Sequence, residues 1–76
     1  GDVVFTGDAA NVTWDKSTDD LIFNDNAKAA FGTGSDLQIY HYGSDSRIQN
    51  TTGNLLVRNE GGGDVYLRVN ATESAV

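Results

Sequence analysis

Asp20-Leu21-Ile22-Phe23 and Asp36-Leu37-Gln38-Ile39 share one pattern: Asp, a branched apolar residue, a free position, then a large apolar residue. The pattern returns as Asp2-Val3-Val4-Phe5, Asn54-Leu55-Leu56-Val57 and Asp64-Val65-Tyr66-Leu67. In an extended chain the second and fourth side chains of each tetrad point to the same face. The tetrads start 18, 16, 18 and 10 residues apart, a period near 17 that shortens only at the end, where a half-repeat is missing. Tandem self-similarity of this kind predicts a stacked or fibrous architecture, because one unit cannot bury its apolar face alone.

Working outward, weaker alternating positions lie between the tetrads: Val12 with Trp14, Ala29 with Phe31, and Ile48 alone. Each full period therefore predicts two short strands joined by turns rich in Asp, Asn, Ser and Gly. The expected turns include Asp15-Lys16-Ser17-Thr18-Asp19, Asn24-Asp25-Asn26, Gly32-Thr33-Gly34-Ser35, Gly43-Ser44-Asp45-Ser46 and Glu60-Gly61-Gly62-Gly63. The one helical candidate, Asn26 to Phe31, is too short to nucleate in water. The chain reads as a single repetitive β segment over 1–76, with approximate repeats 1–18, 19–35, 36–53, 54–63 and 64–76. It is expected to be a piece of a longer fibre protein.

Composition narrows the ways such a segment can be stabilised. The chain has 76 residues, and 38% of them are apolar. A chain this short buries only about 60–65% of the surface its unfolded form exposes. Small folds are usually reinforced by disulfides, a structural metal or partner chains. Cysteine is absent, which excludes disulfides and thiolate zinc sites, and one histidine cannot build an ordinary zinc site. Association between chains is the reinforcement left. The net charge of −6 argues against a nucleic-acid partner, whose phosphates demand clustered Lys and Arg. Lys16, Lys28, Arg47, Arg58 and Arg68 are scattered. Apolar runs are far shorter than the roughly 20 residues of a membrane-spanning helix.

The run Leu37-Gln38-Ile39-Tyr40-His41-Tyr42-Gly43-Ser44-Asp45-Ser46-Arg47-Ile48 resembles a repeat of structural proteins of marine tailed bacteriophages, cyanophages especially. Those proteins carry a run of the type LQIYHDGSNSxI followed by a GNL stretch, as at Gly53-Asn54-Leu55. The closing Val65-Tyr66-Leu67-Arg68-Val69-Asn70 is similar to the same family, and the likeness covers roughly residues 19–76. Tyr42 departs from it, standing where the family run has Asp and leaving Asp45 to cap the turn. The resemblance implies a tail fibre or related virion appendage: extracellular, β-structured, homotrimeric and involved in host attachment.

Few residues invite a chemical role. His41 shares strand parity with Leu37 and Ile39, so three copies in a trimer would meet near the axis and could hold an ion there. The plainer expectation is a strand-end imidazole hydrogen-bonded to a turn, and no metal site is assigned. The acidic residues Asp15, Asp19, Asp20 and Asp25 lack EF-hand spacing and read as turn acids. Gly61-Gly62-Gly63-Asp64 is a single copy of a motif whose calcium chemistry needs stacked neighbours. The sequons at Asn11, Asn50 and Asn70 fit Asn- and Thr-rich turns. His41 with Ser44 and Asp45 is a triad in composition only, with no scaffold for an oxyanion hole, so no catalytic residues, no enzyme activity and no cofactor are expected. Tyr40, Tyr42 and Tyr66 take the outward parity and are candidate contacts for a host-surface polysaccharide, through stacking on sugar rings.

The expected fold is all-β: a short-strand fibrous repeat closing as an intertwined homotrimeric β-prism or triple β-helix. Its core would hold Val3, Phe5, Val12, Trp14, Leu21, Phe23, Phe31, Leu37, Ile39, Ile48, Leu55, Val57, Val65, Leu67 and Val69. The expected function is a shaft that holds a host-attachment tip away from the virion. A carbohydrate-binding module and a β-solenoid repeat of a bacterial adhesin are the alternatives.

Overall fold

The structure, a computed structural model, describes residues 1–70. The Ala71 and Thr72 of the third sequon and the end of repeat 64–76 lie outside the described residues. Six strands follow one another: β1 Val3–Phe5, β2 Val12–Asp15, β3 Asp20–Phe23, β4 Ala29–Phe31, β5 Leu37–Tyr42 and β6 Asp45–Asn50. They form two antiparallel three-stranded sheets, β1-β2-β3 and β4-β5-β6, and no helix occurs among the described residues. The first three tetrads supply β1, β3 and the start of β5, while the weaker alternating positions fall in β2, β4 and β6.

Register places the apolar residues together. In the first sheet Val3, Trp14 and Leu21 lie side by side, as do Phe5, Val12 and Phe23. In the second, Ala29, Ile39 and Ile48 align, with Phe31 opposite Leu37. Alternation gives the second sheet one apolar face, whereas the first also carries Val4 and Ile22 beside Thr13 on its reverse, and cross-strand pairs of this kind are what hold small sheets together.

The turns explain the strand lengths. Asp15 Oδ1 accepts hydrogen bonds from Ser17 N at 3.0 Å and Ser17 Oγ at 2.7 Å, an Asx turn closing β2 onto β3. Lys16 N donates to Asp2 Oδ1 at 2.9 Å and fastens the start of β1 to that turn. The β5–β6 turn is shorter than the expected Gly43–Ser46. Tyr42 pairs with Asp45, so only Gly43 and Ser44 form the loop, and Asp45 and Ser46 belong to β6. A two-residue hairpin with glycine first matches the twist of its strands, and Gly43 sits at φ 55°.

Between β3 and β4 the chain changes sheet. Asn24 N donates to Asn11 O at 3.1 Å, Ala27 N to Asn24 O at 2.8 Å, and Asn26 N to His41 O at 2.8 Å. Asn26 adopts φ 72°, a left-handed conformation that Asn tolerates better than most residues. This joint holds Ala27, the one buried apolar residue among those described.

One expectation about the strands is corrected. The tetrads Asn54–Val57 and Asp64–Leu67 form no strands, although their residue pattern matches that of β3. The second sheet ends just before them: Thr51 N donates to Asp36 O at 2.9 Å and Thr52 Oγ1 to Asp36 Oδ1 at 3.0 Å, continuing the β5–β6 register by one pair. Beyond this pair the described chain joins neither sheet, because alternation sets an apolar face while a strand also needs a partner ladder. The residues expected to form a core shared between chains are open in the single chain. Phe5 is 62% exposed, Ile48 66% and Val57 70%. The accessible surface of 6309 Å² compares with about 4,500 Å² for a compact protein of 8.1 kDa.

Candidate functional site

The candidate surfaces are the two faces of the second sheet, which differ sharply in chemistry. Strand parity sets the difference, since neighbouring residues of β5 project to opposite sides.

On one side, Ala29, Ile39, Ile48 and Phe23 line an open cleft of about 750 Å³ that His41 and Ser46 border. Phe23, from the first sheet, is the residue that reaches this cleft from outside the second. His41 Nδ1 lies 2.7 Å from Ser46 Oγ, its cross-strand partner. Sequence reasoning had paired His41 with Ser44 and Asp45. A two-residue turn instead puts position 46 opposite 41, and that turn length was the signal available in Gly43-Ser44. Asp45 pairs with Tyr42 on the other face, so the three residue types of a hydrolytic triad are split across the sheet. Among the described residues no three His, Asp or Glu side chains gather in a metal-binding group.

The other side is polar and aromatic. The Tyr40 and Tyr42 rings lie 5.6 Å apart at 35°. The Lys28 ammonium sits 4.9 Å over Tyr40, and the Arg47 guanidinium 4.6 Å over Tyr42. Tyr40 OH donates to Gln49 Oε1 at 3.1 Å and accepts from Arg47 Nη1 at 3.4 Å. The hydrogen bond to Tyr40 and the charge interaction with Tyr42 raise the already high pKa of Arg47. Tyr40 and Tyr42 share the face opposite Leu37 and Ile39, but both are half-buried and each has one ring face against a cation of its own chain. Sequence reasoning missed Lys28 and Arg47, which look isolated until the register brings them onto neighbouring tyrosines.

Tyr66 stands apart from this pair. It lies in the unpaired segment, with its OH donating to Asp64 Oδ2 at 3.2 Å and Arg68 5.1 Å over its ring. The remaining candidates serve turns. Asp15, held by the Ser17 hydroxyl, keeps its carboxyl below the usual range. Asn59 accepts from Gly61 N at 2.9 Å and donates to Asp64 O at 3.2 Å, spanning the glycine run.

Comparison of the chain with family models, curated proteins and solved structures returned no match. The functional reading therefore rests on the sequence and these two faces. No helix among the described residues is long and apolar enough to cross a membrane.

Proposed function

We propose that this chain is a structural segment of a homotrimeric fibre on a phage particle, a shaft that holds a host-attachment tip at a distance. The observation that carries the assembled part of this reading is the unclosed core: large apolar residues on both sheets are open to solvent, and only Ala27 is buried among the described residues. Contiguous apolar faces of this extent belong against another protein surface. The phage setting and the number of three come from the resemblance of Leu37–Ile48 and Gly53–Leu55 to phage structural repeats. Three copies turned about an axis bury the same face of each chain at once, and closed cyclic symmetry leaves no copy with an open interface.

In this role the sheets work mechanically. Backbone hydrogen bonds and a shared apolar interior give stiffness, and the chain needs neither a cofactor nor a catalytic residue. Sedimentation equilibrium tests the assembly: a species of three times 8.1 kDa is expected. A stable monomer would remove the trimer and favour a self-sufficient solenoid repeat.

A second reading is favoured by the pairing of Tyr40 with Tyr42 beside Arg47 and Gln49, an arrangement suited to stacking and hydrogen bonding with a sugar. A glycan array separates the two. Retention of a saccharide that Tyr42→Ala abolishes supports a recognition module, and a trimer that retains none supports the spacer.

A further inference from the structure

Residues 54–57 and 64–67 carry the strand pattern of this protein, yet neither tetrad finds a strand partner among the described residues. Asn54-Leu55-Leu56-Val57 matches Asp20-Leu21-Ile22-Phe23 position by position, in a four-residue length equal to that of β3. Leu55 is 49% exposed and Leu56 69%, and Val65 and Leu67 are comparably open. The same chain also has four edge strands, β1, β3, β4 and β6, because each sheet has only three members. An edge strand presents a row of unpaired N–H and C=O groups, a ready template for another strand.

We propose that residues 54–57 and 64–67 add as strands to free sheet edges of a neighbouring copy of this chain. The proposal rests on the assembly reading above and specifies how that assembly is made. A second copy is the occupant the sequence favours, since one chain supplies both the spare strands and the edges that lack them. The Asp36 contacts of Thr51 and Thr52 continue the β5–β6 register by one pair, so the first spare tetrad begins just beyond the end of the second sheet. Added in this way, Leu55 with Val57 and Val65 with Leu67 extend the apolar faces, while Leu56 and Tyr66 take the opposite side. Main-chain bonding supplies affinity, and the alternating side chains supply register.

The test is amide hydrogen exchange of the whole chain, with sedimentation of the same sample. Protection of alternate amides within 54–57 and 64–67 by at least about 100-fold in the trimer, lost on dilution to monomer, is the expected result. A trimer in which these amides exchange as in an unstructured peptide overturns the strand-addition proposal and leaves the assembly standing. Protection that survives in a diluted monomer means the segments pair within one chain, which also overturns it. A monomer at every concentration, with no protection, removes the assembly reading and this proposal together. A double variant, Leu55→Pro with Leu56→Pro, takes away two backbone donors of the first segment without touching either sheet. It is expected to weaken self-association at least about 10-fold while leaving the β5–β6 amide signals in place, and unchanged association would count against the proposal.

Discussion

Gly43 and Asp15 show how single residues set the local geometry here, and each makes a separate prediction. A side chain added at Gly43 would meet nothing within 4 Å, so the whole penalty of substitution comes from its φ of 55°. Left-handed backbone costs a residue bearing a Cβ about 1–2 kcal/mol, and Asn bears that conformation more easily. Gly43→Ala is therefore expected to destabilise the fold by about 1 kcal/mol, and Gly43→Asn by less, in urea unfolding at fixed protein concentration. Asp15 makes a prediction about pH. Its carboxyl is held below the ordinary range mainly by the Ser17 hydroxyl. A depressed folded value adds stability above the unfolded value, about 4, and that stability fades as the pH falls through the folded value. The advantage of the natural chain over Ser17→Ala should be present at pH 6 and shrink steadily below pH 4, as read by acid unfolding. An advantage that grew in acid would contradict the assignment.

At the level of elements, the apolar face of the second sheet separates pairing from association. Ile48 lies opposite Ile39 but is 66% exposed, so a charge there leaves the strand ladder intact and spoils only the outer surface. Ile48→Lys is expected to retain the β5–β6 amide pattern in solution spectra and to lose self-association. If the variant still assembles, the face is not an interface. The strand pattern itself was legible because alternation with a period of two survives in strands as short as β1 and β4. Placement of Tyr40 and Tyr42 opposite Leu37 and Ile39 followed from the same parity. What the sequence could not show was partnership. Nothing in Asn54-Leu55-Leu56-Val57 distinguishes it from Asp20-Leu21-Ile22-Phe23, because a tetrad states which face is apolar and not which strand lies beside it. The positions of Lys28 and Arg47 over tyrosine rings were hidden for the same reason, since cross-strand neighbours depend on register and turn length.

For the molecule as a whole, charge opposes the apolar surface. Three chains at −6 each would bring −18 together, a repulsion that salt screens over about 10 Å at 0.1 M and about 3 Å at 1 M. Self-association is therefore expected to strengthen as sodium chloride rises from 0.05 to 1 M, measured by the dilution midpoint in sedimentation. An association weakened by salt would point to ion pairs across the interface in place of apolar contact.

Every ladder in the two sheets joins strands that are consecutive in the chain, and the β5–β6 loop is only Gly43 and Ser44. The consequence is one of timing. Hairpins close in about 1–10 μs, whereas the meeting of separate chains takes milliseconds to minutes and depends on concentration. A newly made chain thus acquires its sheets long before it finds its neighbours. During that interval its uncovered strands are as able to capture an unrelated chain as a correct one. Yield on refolding should then be governed by a race between productive encounter and precipitation, and anything that tethers three copies from the outset would shorten the vulnerable period.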